Sequence, residues 1–292
     1  MNKPKMLITG GSGYLGDWVA RLARADWDVT ATYLTHPPDE SGAEWRRLDL
    51  RDEASVMALA DEVRPSAIIH TAACNPGYGD DFEATNATGT RHIARAAAAC
   101  GARLVHLSSD VIFDGERGNY VEEDPPAPRT PYGRSKALAE SEVRAPGVEA
   151  IIVRTSLIYG WRPDVGRQTQ WMVDNLNAGL PVRLFTDELR CPIWVESLAA
   201  AVIELATMSY TGVLHVAGAQ PLSRYEFGVR LLRFHGMDPA PTCPERRFAY
   251  GRRIIPALSR EIAPNRPRDC TLDCTRARSL LRTPLPGVDE VL

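Results

Sequence analysis

Lysine is almost missing from this chain. Of its 34 Lys and Arg residues only Lys3, Lys5 and Lys136 are lysines, so arginine serves wherever a generic positive charge is enough and one internal lysine invites a chemical reason. Cysteine is sparse as well. The six (Cys74, Cys100, Cys191, Cys243, Cys270, Cys274) are scattered, and the closest pair, Cys270 and Cys274, has no second Cys or His pair beside it. That argues against a zinc site and gives no disulfide framework. The six histidines (His36, His70, His92, His106, His215, His235) show no metal-ligand spacing, so no metal is expected. No run reaches the roughly 20 apolar residues of a membrane helix. The segment after Met1-Asn2-Lys3-Pro4-Lys5 lacks the apolar stretch of a signal peptide, and a soluble, cytoplasmic protein is expected. A net charge of −3 offers no attraction to nucleic acid or to an anionic membrane.

What is present is strand and helix in alternation. Short apolar runs at Met6 to Thr9, Val29 to Tyr33, Trp45 to Leu48, Ala67 to His70, Leu104 to Leu107 and Ala150 to Val153 read as strands. Helical patterns lie between them at Tyr14 to Ala25, Asp52 to Val63, Phe82 to Cys100 and Tyr132 to Val143. This is the βαβ signature of an α/β protein with a Rossmann-type, doubly wound parallel sheet. With 292 residues there is room for a smaller companion. The dinucleotide-binding domain is expected over 1–160, with the chain returning to it over about 192–217 through a helix (Val195 to Ala206) and a strand (Val213 to Val216). Segments 161–191 and 218–292, richer in Pro and Arg, then form a smaller α/β substrate region.

The first helix is preceded by Thr9-Gly10-Gly11-Ser12-Gly13-Tyr14-Leu15-Gly16. Glycines after a strand and before a helix let the backbone turn sharply and bring its amides up to a pyrophosphate at the positive end of the helix dipole. A ligand-free structural turn is the bland alternative, but the position near the start of a βαβ run favours a dinucleotide. Gly10, Gly13, Tyr14, Leu15 and Gly16 are therefore candidate cofactor contacts. About 20 residues on, where an acid would bind the ribose of NAD, the chain reads Thr32-Tyr33-Leu34-Thr35-His36. The acid that would repel a 2′-phosphate is absent, and so is an Arg that would welcome one. NADP is favoured over NAD, with Thr32, Thr35 and His36 as contacts. Asp49, a candidate for the adenine amino group, Leu50 and Thr71-Ala72-Ala73 complete the candidate set.

Tyr132-Gly133-Arg134-Ser135-Lys136 places a phenol and an ammonium at i and i+4 on one helix face. A carbonyl receiving hydride needs a proton, and a phenol with pKa near 10 gives one more readily when a cation lowers that value. An accidental surface pair is the alternative, yet lysine is so rare here that chance seldom sets the two four apart. Ser109 in Leu107-Ser108-Ser109-Asp110, at the carboxyl end of the fifth strand, is the candidate substrate-orienting hydroxyl, with Ser108 tied to local backbone.

Taken in order, the glycine loop, Asn86-Ala87-Thr88-Gly89-Thr90, Ser108-Ser109-Asp110, the Tyr132/Lys136 pair and Arg154-Thr155-Ser156-Leu157-Ile158-Tyr159-Gly160 resemble the extended short-chain dehydrogenase/reductase family over nearly the whole chain. Ser108 to Gly115, Cys191 to Ala199 and Arg266 to Asp273 are similar to segments of its dTDP-4-dehydrorhamnose reductase-like, sugar-nucleotide-binding group. The resemblance implies NAD(P)H-dependent reduction of a nucleotide-linked 4-keto sugar. Tyr132 would supply the proton, Ser109 orient the carbonyl, and Lys136 hold the ribose. Val111 departs from the Tyr often found there, and together with Asp110 and Arg190 it is a candidate substrate contact. Arg190 competes with its reading as one more paired surface arginine. The absence of an acid after Asp110 disfavours water elimination. Epimerisation by the same triad stays open, as does a regulatory role resembling that of the methionine adenosyltransferase subunit. The expected partner is a nucleotide-sugar substrate, with a homodimer as the assembly to test.

Overall fold

A computed structural model describes residues 3–37, 43–77, 79–144, 147–160, 167–236 and 254–292, the side chains of 167–169 excepted. Cys243 and the opening residues of the 161–191 segment lie outside them. The first half runs β1 (Lys5–Thr9), α1 (Tyr14–Ala23), β2 (Asp28–Tyr33), β3 (Glu44–Arg47), α2 (Glu53–Val63), β4 (Ala67–His70), α3 (Gly89–Cys100), β5 (Arg103–Ser109), α4 (Pro131–Val143) and β6 (Ala150–Thr155). The second half holds β7 (Ile158–Tyr159), α5 (Arg167–Asn177), β8 (Val182–Phe185), β9 (Leu189–Arg190), β10 (Ile193–Trp194), α6 (Val195–Leu205), β11 (Gly212–His215), β12 (Leu222–Ser223), α7 (Arg224–Phe234), β13 (Ile254–Ala257), α8 (Ser259–Ile262), α9 (Thr275–Leu280) and α10 (Val288–Val291).

Seven strands form a sheet in the order β3-β2-β1-β4-β5-β6-β11, every neighbouring pair parallel. The fold is thus a Rossmann-type α/β fold. Its strand order reverses between β1 and β4, and ligands of such sheets bind at the carboxyl ends of the strands beside that switch point. Both faces are covered, as the continuous apolar strands require. On one face Val19 and Ala20 of α1 and Leu198 and Val202 of α6 pack over Ile8, Ile69, Val105 and Val153. On the other, Val56 and Leu59 of α2 and Ile93 and Ala97 of α3 pack over Leu7, Ile68, Leu104 and Ile152. Each fully buried Val, Leu or Ile among these contributes about 1.5–3 kcal/mol of burial free energy.

A separate apolar cluster joins Leu157, Met172, Leu176, Val182, Leu184, Phe227 and Leu231, between α5, α7 and the short β8. β8 pairs in parallel with β13, and β9 pairs antiparallel with β12.

The expected helix over Phe82 to Cys100 is not uniform. Its first turn, Glu83–Thr88, is π-helical before α3 begins. This wide turn coincides with Asn86, whose side chain accepts from the Cys74 amide at 2.7 Å and donates to the Cys74 carbonyl and to Ser135 Oγ, both at 3.0 Å. Such local widening of a helix is common beside functional sites.

Candidate active site

The switch point is built from backbone. β1 delivers Gly10 in the left-handed region, φ +72°, where a side chain is strained. A Cβ there would also stand 2.6 Å from the Ala72 Cα, so glycine is what lets the loop lie against the segment after β4. Thr71 fastens that contact by donating from Oγ1 to the Thr9 carbonyl at 2.8 Å. Gly13 immediately precedes α1 and supplies no side-chain cap, leaving first-turn amides for another acceptor. The cradle and the uncapped helix end fit a pyrophosphate.

Around this cradle the candidate contacts divide. Gly10, Gly13, Gly16, Ala72 and Ala73 lie at or next to it, and half-buried Tyr14 opens α1. Leu15 and Leu50 turn their side chains into the two apolar layers, so only their backbone can face a ligand. Leu50 even lends its carbonyl to His92 Nδ1 at 2.8 Å. Thr32 is buried and accepts from the Gly10 amide at 3.2 Å, which makes it a brace between β2 and the loop. Thr35 and His36 are exposed beyond β2. Asp49 gives its oxygens to Arg51, at 2.9 Å from Nε and 2.7 Å from Nη2, and this pairing holds its carboxyl below the usual range.

The other end is built from side chains. Thr130 caps α4 by accepting from the Gly133 amide at 3.0 Å, with Pro131 in the first turn. A Cβ on Gly133 would lie 2.3 Å from the Val111 carbonyl. Glycine at that place lets α4 close on the turn after β5, and it sets the Tyr132 phenol beside Ser109, within reach of its hydroxyl. Lys136, one turn on and buried, donates to the Leu107 carbonyl at 2.5 Å. Ser109, Tyr132 and Lys136 therefore converge at the end of β5. Phe82 meets the Tyr132 ring edge-on, centroids 6.0 Å apart.

Electrostatics here differ from the sequence expectation. Burial foremost, then the charge of Asp110, pushes the Tyr132 phenol above its ordinary value, and the Ser109 bond only partly opposes this. Burial takes Lys136 down to about 8, against the pull of Glu140. Desolvation disfavours whichever form carries charge, so a phenol rises and an ammonium falls.

Several supporting residues escaped the sequence reading. Ser108 does not bond local backbone: it donates to Glu140 Oε1 at 2.6 Å. Arg154 forks onto the same carboxylate at 3.0 and 2.9 Å, with both partners buried. His70 lies between Thr9 Oγ1 (2.6 Å) and Thr90 Oγ1 (3.0 Å). Because Thr90 spends its proton on the Asn86 carbonyl, His70 donates from Nε2 and accepts at Nδ1. Burial first, then the charge of Lys136, keeps it neutral, with its pKa down to about 3.

Arg190 corrects an expectation. It is buried, donates to the carbonyls of Leu189, Pro267 and Arg268 at 2.6, 3.0 and 2.8 Å, and pairs with Glu188 at 3.3 Å and Asp110 at 3.6 Å. Its donors are committed inside the protein, so it braces the floor under Asp110 instead of reaching for a ligand. Asp110 is buried too, held by Ser156 at 2.6 Å. Val111 is half-buried beside Ser109.

Among the described residues no group of His, Cys, Asp and Glu is arranged to hold a metal ion, and no helix is long and apolar enough to cross a membrane.

The family described as RmlD substrate binding domain matches residues 4–292. The chain is 32% identical to the dTDP-4-dehydrorhamnose reductase of Mycobacterium tuberculosis, over 82% of this chain and 78% of that protein. It superposes on the dTDP-4-dehydrorhamnose reductase of Bacillus anthracis, solved in complex with NADP, with a TM-score of 0.80 and 26% identity, covering 99% and 96% of the two chains. It is also 25% identical to the mouse methionine adenosyltransferase 2 subunit beta, over 99% of this chain and 87% of that one. This chain belongs to the RmlD-like group of the extended short-chain dehydrogenase/reductase family.

Proposed function

We propose that this protein is an NAD(P)H-dependent oxidoreductase that reduces the 4-keto group of a nucleotide-linked sugar. A bound nicotinamide dinucleotide supplies the hydride. Gly10, Gly13 and the first-turn amides of α1 would hold its pyrophosphate, and Ala72 and Ala73 would border it. Ser109 would donate a hydrogen bond to the carbonyl oxygen and fix its place, and Tyr132 would give that oxygen its proton. A phenol raised by burial stays protonated at neutral pH and so holds the proton the reduction needs, but it is a weaker acid than the free side chain, and the Lys136 ammonium would have to offset that as charge develops on the carbonyl oxygen. Lys136 would keep an ammonium beside the reacting pair and bond the cofactor ribose. Residues 161–191 and 218–292 would form the smaller region that binds the sugar nucleotide.

The observation that carries this reading is the contact of Ser109 with Tyr132, one turn from the chain's one internal lysine. Its test is the oxidation of NADPH or NADH by a dTDP-4-keto-6-deoxyhexose, followed at 340 nm (roughly the nicotinamide band). Wild type is expected to turn over, and Tyr132→Phe to lose at least ~100-fold in kcat. The likeness to the methionine adenosyltransferase subunit favours a second reading, a nucleotide-binding regulatory subunit. Cofactor binding without turnover, together with co-purification of a synthetase, would establish that one instead.

A further inference from the structure

The end of β2 offers neither an acid nor an arginine for the ribose of a dinucleotide, so the sequence leaves the 2′ position undecided. The neighbouring strand changes this. β3 pairs in parallel with β2, and its last residue, Arg47, stands opposite Tyr33. Side chains alternate along a strand, so Arg47 shares a face with Trp45. The Trp45 ring comes within 2.9 Å of where a Cβ would sit on Gly11, which identifies that face as the one bordering the glycine loop. Arg46, on the opposite face, pairs with Glu44 and Glu62.

Arg47 is exposed and donates from Nε to the Leu34 carbonyl at 3.1 Å. That bond lays the guanidinium across the carboxyl end of β2. Its two terminal nitrogens have no carboxylate partner among the described residues, whereas Asp49, which feels the charge of Arg47, gives both oxygens to Arg51. A planar fork with one nitrogen anchored, and two without a carboxylate partner among the described residues, is the donor set that binds a phosphate in bidentate fashion. In a Rossmann fold the adenosine ribose lies at the end of the second strand, where an arginine accommodates a 2′-phosphate.

We infer that Arg47, supplied by β3, is the specificity-determining residue that reads a 2′-phosphate and makes this chain select NADP(H) over NAD(H). The inference rests on the dinucleotide binding proposed above and not on the sugar substrate.

The test is direct binding to the full chain, with no substrate present: calorimetric Kd values for NADP+ and NAD+ with wild type, Arg47→Ala and Arg47→Lys. Wild type is expected to bind NADP+ at least ~10-fold more tightly than NAD+. Arg47→Ala should weaken NADP+ by ~10–30-fold and leave NAD+ within about twofold, with Arg47→Lys between, since a point charge cannot fork. Arg47 is exposed, so the variants should melt with wild type. Equal weakening of both dinucleotides in Arg47→Ala, or no change in either, overturns the assignment. Failure of wild type to bind either dinucleotide overturns the cofactor reading itself, and this inference with it. Selective binding without sugar-nucleotide turnover upholds Arg47 and removes only the substrate.

Discussion

The two ends of the candidate site are made of different material. At the switch point between β1 and β4 the shape is set by backbone: a left-handed Gly10, an uncapped helix and the strand-end segment at Thr71 and Ala72. At the end of β5 it is set by buried side chains tied across long sequence distances, Ser108 to Glu140 to Arg154 on one side and Ser156 to Asp110 to Arg190 on the other. A backbone cradle is sensitive to added volume. A buried charge network is sensitive to the loss of one partner, because the other is left unpaired in the interior.

The contrast can be broken most sharply at Gly10. Gly10→Ala adds a Cβ 2.6 Å from the Ala72 Cα at a positive φ. Dinucleotide affinity is expected to fall by more than ~100-fold, as a displaced amide cradle loses several charge-assisted hydrogen bonds together. Calorimetric titration checks this. Near-normal affinity would mean that the cradle is not formed by this turn.

The opposite lesion is Glu140→Ala. It leaves the Arg154 guanidinium buried against Ser108 with no carboxylate, and about 3–5 kcal/mol of folding stability should be lost. Urea denaturation measures it. Glu140 contacts neither Tyr132 nor the glycine loop among the described residues but does support the charge of Lys136, so the folded fraction should lose only a small part of its dinucleotide affinity. A loss of affinity without loss of stability would reverse the comparison.

A smaller effect lies in pH. Burial sets the folded pKa of Lys136 at about 8, against 10.5 for the free side chain. Between those values the unfolded chain still holds the proton that the folded chain has lost, so stability rises with pH across the window, by ~1–3 kcal/mol. Tyr132 acts in the opposite sense only above pH 10, where the unfolded chain releases a proton that the folded chain retains. Denaturation at pH 7.5 and 9.5 (roughly just below that window and past its middle) should show this rise in wild type and a flattened one in Lys136→Met. An equal rise in both would place its origin elsewhere.

Much of the fold was legible because it is local. Apolar runs such as Ala67 to His70 and the alternation with helices locate all six leading strands, and the Gly10 loop and the Tyr132/Lys136 spacing mark both ends of the site. What escaped is non-local. Arg47 reaches the end of β2 from the next strand, so a search along β2 finds no arginine. Glu140 and Arg154 meet through a helix and a strand. Arg190 read as a ligand contact because nothing in Leu189-Arg190-Cys191 reveals that Pro267 and Arg268 will surround it. The two-residue strands β7, β9, β10 and β12 are too short to carry a period at all.

The central claim is that Ser109, Tyr132 and Lys136 form a proton-delivering site beside a dinucleotide cradle. It is tested most directly by Tyr132→Phe, with NADPH binding and NADPH consumption by a dTDP-4-keto-6-deoxyhexose measured on the same preparation. The account predicts unchanged binding and turnover reduced at least ~100-fold. Turnover equal to that of wild type, or a wild-type protein that binds NADPH but reduces no keto-sugar nucleotide, would contradict it.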